Sequence, residues 1–118
     1  MSDTTDLMRA NLLEVFDERD PERRRAAIAR TYAPDVAFSD PEGTVTGHAA
    51  VDAKAQKVLD DALGFVFSPM GEAYESSDLG YQAWGLGPAG EPPVVRGIDI
   101  ALVADGRIAR LYTLLLRD

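Results

Sequence analysis

Two aspartates sit where a carboxyl group can do chemistry. Asp40 lies in "FSDPEGTVTG", residues 38–47, and Asp99 in "VVRGIDIALV", residues 94–103. Asp, Pro and Gly at the first, second and fourth places of four residues favour a type I turn, so Asp40 reads first as a turn former. The upstream "DVAF" alternates like a short strand, and a carboxylate at a strand end can instead face what the strand lines and serve there as a general base. Asp99 occupies the middle of a strand. Its neighbours divide into Val94, Arg96, Ile98, Ile100 and Leu102 on one face and Val95, Gly97, Ala101 and Val103 on its own, so both faces are apolar and are expected to be covered. A buried carboxyl group has to be paired, hydrogen-bonded or protonated. Arg96, Trp84 Nε1 or backbone donors would give it a structural role, and a pocket would give it a functional one.

The elements that must position these residues follow from periodicity. Met8, Leu12, Val15 and Phe16 recur at helical spacing, with Thr4 or Thr5 available as a cap. Asp20, Pro21 and Glu22 are three successive start signals for a second helix running to about Tyr32, ended by Pro34. Val51, Ala55, Val58, Leu59 and Ala62 share one face of a third, closed by Gly64. From Phe65 the period becomes two, with strands expected near 65–75, 79–86, 93–104 and 107–116 and a hairpin at Asp105-Gly106. Helices followed by a strand meander predict one α+β domain over residues 1–118, with helices packed on one face of a mainly antiparallel sheet.

Composition narrows the function. Twelve Lys and Arg against twenty Asp and Glu give a net charge of −8, which argues against nucleic acid and anionic membranes as partners. The chain has no cysteine and one histidine, His48, so neither a thiolate nucleophile nor a histidine-rich zinc site is available, and no cofactor or metal is expected. His48, at the start of the third helix, reads as a surface or capping residue. "GLGPAG", residues 85–90, has the letters of a dinucleotide-binding fingerprint, but "EPPVV" follows it and cannot open the required helix, so it reads as a hairpin loop. "ERRRAAIAR" reads as a solvated arginine face. The N-terminus lacks the features of a secretion signal and no run is long enough to span a membrane, so a cytoplasmic location is expected. On the last two strands Ile98, Ile100 and Leu102 beside Ile108, Tyr112 and Leu114 form an apolar outer patch, which predicts a homodimer through that face.

"TYAPDVAFSDPEG", the helix-opening "TGHAAV" and "GEPPVVRGIDIALVADGRI" together resemble the NTF2-like superfamily, in particular its SnoaL-like and ketosteroid-isomerase-like branch, over about three quarters of the chain from Asp20 onward. The resemblance implies a cone in which three helices are wrapped by a strongly curved sheet, with a hydrophobic pocket between them. It implies that Asp40 matches the proton-transfer base of the steroid isomerases and that Asp99 matches their protonated acid, which donates to the developing enolate; that enzyme is a standard example of an acid kept neutral by its apolar site. It matches Tyr32 to a supporting tyrosine behind the oxyanion site. Leu111, Thr113 and Leu115 share one face of the last strand and match pocket-lining positions, and Phe16 and Trp84 complete the expected walls. The isomerases carry an oxyanion tyrosine on helix one, where this chain offers Asn11, Leu12 or Leu13, and a second tyrosine on helix three is replaced near Ala55. The implied ligand is a small hydrophobic carbonyl compound, steroid- or polyketide-like, to be isomerised or cyclised without a cofactor. The alternative is a non-catalytic binding or dimerisation module of the same fold.

Overall fold

The computed structural model describes residues 3–117. A first helix, α1 (Asp3–Ala10), runs on as wider π-helical turns (Asn11–Phe16) and is followed by α2 (Pro21–Thr31), β1 (Tyr32–Asp40), β2 (Gly43–Thr46), α3 (His48–Asp61), β3 (Phe65–Pro69), β4 (Tyr74–Ser76), β5 (Leu79–Pro88), β6 (Val95–Ala104) and β7 (Arg107–Leu115). Asp20 caps α2 as read, its side chain accepting from the Arg23 N–H at 2.8 Å with Pro21 at the first helical position. Asp105 and Gly106 both take positive φ, at 53° and 77°, and join β6 to β7 as the sequence predicts.

The sheet runs β2-β1-β7-β6-β5-β3, with β4 sharing the β3 edge of β5. Only β1 and β7 pair in parallel; every other pair is antiparallel. The three helices pack in the concave face of this curved sheet, and the core fills the space between them with Met8, Leu12, Ile28, Val51, Ala101 and Leu111 among others. This is the α+β cone the sequence predicts.

Several local readings change. Thr4 and Thr5 lie inside α1 and do not cap it. The expected strand over 65–75 is two strands, broken around Gly71, whose φ is +84°, so that β3 pairs with one end of β5 and β4 with the other. In β7, Arg110 opposes Leu102 while Ile108 opposes Val103, which leaves Ala109 as an extra residue. That bulge reverses the inward and outward alternation, so Ile108 is fully buried in the core and does not belong to the outer patch with Tyr112 and Leu114. Only the Asp99 face of β6 is covered; Ile98, Ile100 and Leu102 on the other face are half-buried, and Tyr112 and Leu114 beside them are exposed.

The arginine face of α2 is not wholly solvated. Arg24 is fully buried, donating to Asp52 Oδ1 at 2.6 Å, to Gln56 Oε1 and to the Glu18 carbonyl, and so clamps α2 to α3. Two of the "GLGPAG" glycines, Gly85 and Gly87, have a steric reason unrelated to nucleotides. Pro93, in the loop returning to β6, crosses β5 so closely that a Cβ on Gly85 would lie 2.7 Å from its own Cβ.

Candidate functional site

Between the helices and the concave sheet lies a cavity of about 320 Å³. Phe16, Phe38, Phe67 and Trp84 form its aromatic wall, Leu12, Val58, Leu86, Val95 and Leu115 its aliphatic one, and Asp40, Pro41, Glu42, Asp99 and Thr113 complete the lining. The four rings touch in series: Phe16 stacks on Phe38 at 5.7 Å between centroids, Phe67 meets Phe16 edge-on at 6.3 Å, and Trp84 meets Phe67 edge-on at 5.3 Å.

Asp99 is 4% exposed and is held by three neutral donors. Strand pairing supplies two of them. Thr113 is its cross-strand neighbour on β7 and donates Oγ1–H to Oδ1 at 2.8 Å. Trp84, on β5, donates Nε1–H to the same oxygen at 3.0 Å. The indole reaches that position because it lies over Gly97, where a Cβ would come within 2.2 Å of Trp84 Cζ2. The third donor is Asn11, whose Nδ2 approaches Asp99 Oδ2 at 2.8 Å while its Oδ1 accepts from the Tyr32 hydroxyl. Asn11 stands where α1 widens into π-helical turns, an irregularity that often accompanies functional sites.

Burial pushes the Asp99 carboxyl up from its ordinary 3.8 to about 6, against the lowering effect of the hydrogen bonds from Thr113, Trp84 and Asn11. All three donors suit the charged form and act against burial, whereas the resemblance matches this position to a protonated acid. The Tyr32 hydroxyl is pushed well above its usual value by complete burial and then by the nearby Asp99 charge, so it stays neutral.

Asp40, at the end of β1, is both things its sequence allowed. Its Oδ1 accepts the Glu42 N–H at 2.9 Å, which is the turn-forming bond, and its side chain also lines the cavity. Its Oδ2 is 3.1 Å from Lys54 Nζ on α3, and Lys54 also binds Glu42 Oε1 at 2.9 Å. These bonds to Glu42 and Asp40 raise the Lys54 pKa despite partial burial.

Of the residues singled out in the sequence, Phe16, Trp84, Thr113 and Leu115 line the cavity together with Asp40 and Asp99. Tyr32 stands one residue behind the wall, in contact with Asn11, and Leu111 is fully buried in the core, so neither lines the cavity. The Arg96 proposed as a partner of Asp99 is on the other face of β6. His48 donates Nε2–H to the Tyr32 carbonyl at 2.9 Å and ties α3 to β1. Sequence reading missed the role of Asn11, although its position between Met8 and Val15, at +3 and −4 spacing on the apolar stripe of helix one, marks it as a buried amide.

The SnoaL-like domain model matches residues 10–111, and the chain belongs to that family, within the NTF2-like superfamily. Among solved structures it is similar to a candidate isomerase of the SnoaL-like family from Agrobacterium tumefaciens, with 21% identity, a TM-score of 0.89 and coverage of 99% of this chain and 100% of that one. A candidate polyketide cyclase from Sinorhizobium meliloti shares 21% identity at a TM-score of 0.71, over 92% and 93% of the two chains. A candidate ketosteroid isomerase from Kribbella flavida shares 18% identity at 0.70, over 98% and 79%. At these identities the likeness establishes the fold alone. No curated protein matches the chain.

Proposed function

We propose that the protein binds a small hydrophobic carbonyl compound in the cone and that Asp99 carries a proton to and from it. The observation that supports this reading is the state of the Asp99 carboxylate. It has four lone-pair sites and three donors, so one acceptor position remains, in a cavity it lines and with a pKa near 6. A general base is most effective with a pKa close to the working pH. Asp99 would break a C–H bond alpha to the carbonyl, take the proton on its free acceptor site, and leave the electron pair in an enolate. Returning that proton to another carbon of the same molecule completes an isomerisation, with no net gain or loss of electrons. Asp40, tied to Lys54 and to its own turn, orients the polar end of the ligand at the rim.

One feature favours a second reading, binding without chemistry. The two neutral side-chain donors of the lining, Trp84 Nε1 and Thr113 Oγ1, are both directed at Asp99, which leaves neither to stabilise an enolate oxygen. Exchange of alpha deuterons in cyclic ketones, followed by NMR, separates the possibilities. The leading reading predicts protein-catalysed exchange that is lost in Asp99→Asn and retained in Asp40→Asn. The opposite pattern would return the base to Asp40. Binding of the ketones with no exchange by the unmodified protein would establish the binding module.

A further inference from the structure

The charges around the cavity are one-sided. Three carboxyl side chains, Asp40, Glu42 and Asp99, line it, and no lysine or arginine does. At the rim, Lys54 offsets Asp40 and Glu42. At the floor nothing offsets Asp99. Its partners are Asn11 from the π-helical turns, Trp84 from β5 and Thr113 from β7, and no charged side chain contributes to its pKa. Tyr32 on β1 is the titratable group behind it and stays neutral, and its cross-strand neighbour on β5 is the uncharged Gln82. A buried carboxylate without a cation is costly, and among the described residues Asn11, Trp84 and Thr113 are the donors found on it. Above it stand four aromatic side chains in mutual contact, Phe16, Phe38, Phe67 and Trp84, whose π-electron faces attract cations.

From this juxtaposition we propose that the cavity accommodates small hydrophobic amines in their ammonium form, with an N–H donated to Asp99 and the hydrocarbon and charge held among the four rings. The ligand supplies the positive charge that the floor lacks. An anionic ligand of the same shape would meet three carboxylates, and a neutral one would leave Asp99 uncompensated. The inference stands apart from the proton-transfer reading, since it requires the charge of Asp99 and not its chemistry. A volume of about 320 Å³ is at the lower end of ligand cavities and suits a compound of one or two rings.

Calorimetric titration with 2-phenylethylamine and with its neutral counterpart 2-phenylethanol tests this directly. At pH 8 the amine is expected to bind at least about tenfold more tightly than the alcohol, from the combined ion pair and cation–π attraction. At pH 5 the amine keeps its charge while Asp99 in the free protein takes up a proton, so the preference should be several-fold smaller than at pH 8 in the unmodified protein. Asp99→Asn should abolish the preference at pH 8. Equal affinities for the two compounds at pH 8 would overturn the proposal. So would a preference that is the same at pH 5 as at pH 8, or one that persists in Asp99→Asn, because the attraction would then come from Asp40 and Glu42 at the rim. The pH comparison needs no variant and decides the matter even if the substitution prevents folding. Loss of the amine preference together with intact deuterium exchange would remove this inference alone, and the reverse result would remove only the proton-transfer reading.

Discussion

Replacing Asp99 by asparagine should change how the stability of the protein depends on pH, in a direction the structure fixes. In the folded chain the Asp99 carboxyl is pushed to about 6 from 3.8 by burial, with hydrogen bonds from Thr113, Trp84 and Asn11 acting against it. Below 3.8 the group is protonated whether the chain is folded or not, and its contribution to stability is fully present. Between about pH 4 and 6 the unfolded chain releases the proton while the folded chain still holds it, so stability falls as pH rises, and the contribution is lost once pH passes the folded value. A rise of roughly two units at 1.36 kcal/mol per unit makes the loss about 3 kcal/mol. The asparagine side chain cannot titrate, and its amide can join the same neighbours if Asn11 turns its own amide over. Urea unfolding of both proteins at pH 3.5, 5 and 7 should therefore show the unmodified protein losing about 3 kcal/mol relative to Asp99→Asn across that range. The other carboxyl groups are common to both proteins and cancel. A stability difference independent of pH would refute the desolvated carboxylate, and a gain in stability of the unmodified protein relative to Asp99→Asn as pH rises would show an Asp99 pKa below the ordinary value.

The remaining expectations concern the supports of the site and the outer face. Thr113→Val keeps the shape and removes one donor to a charged acceptor, a loss of about 1.5–3 kcal/mol that should raise the Asp99 pKa further; an unchanged titration would show that the hydroxyl does not act on the carboxylate. Gly97→Ala should push the indole of Trp84 off its seat, costing about 1–3 kcal/mol and shifting the fluorescence of the single tryptophan, whereas an unchanged spectrum would contradict the contact. The half-buried Ile98, Ile100 and Leu102 with exposed Tyr112 and Leu114 form the patch proposed for a homodimer; Ile100→Asp should convert the dimer to monomer in sedimentation at micromolar concentration, and a monomeric unmodified protein would end that proposal.

Much of this fold was legible because each segment carries one dominant signal. Asp20-Pro21 opens α2, Val51, Ala55 and Leu59 give α3 its buried stripe, and Asp105-Gly106 sets the last hairpin. What escaped depends on a single inserted residue or on a distant neighbour. Ala109 reverses the alternation of β7 and carries Ile108 into the core, and no periodicity argument anticipates a bulge that only strand pairing reveals. Arg24 read as solvated because its partners Asp52 and Gln56 are about thirty residues away on another helix. Asp99 was legible as a buried carboxyl group, and Trp84 as one of its donors. The rest of its donor set was not, because Asn11 and Thr113 approach from elements far apart in the chain. Asp40 was read first as a turn former and then, by resemblance, also as a pocket residue, and its two oxygens face different neighbours accordingly.

The account rests on Asp99 being a desolvated carboxylate that meets the ligand. The most direct test is a carbon-13 NMR titration of the Asp99 side-chain carboxyl, in the free protein and with 2-phenylethylamine bound. The free protein should show a midpoint near 6, and the bound ammonium should lower it by a unit or more, since an adjacent positive charge favours the charged form. A midpoint near 3.8 in the free protein, or one that does not move when the amine binds, would contradict the account.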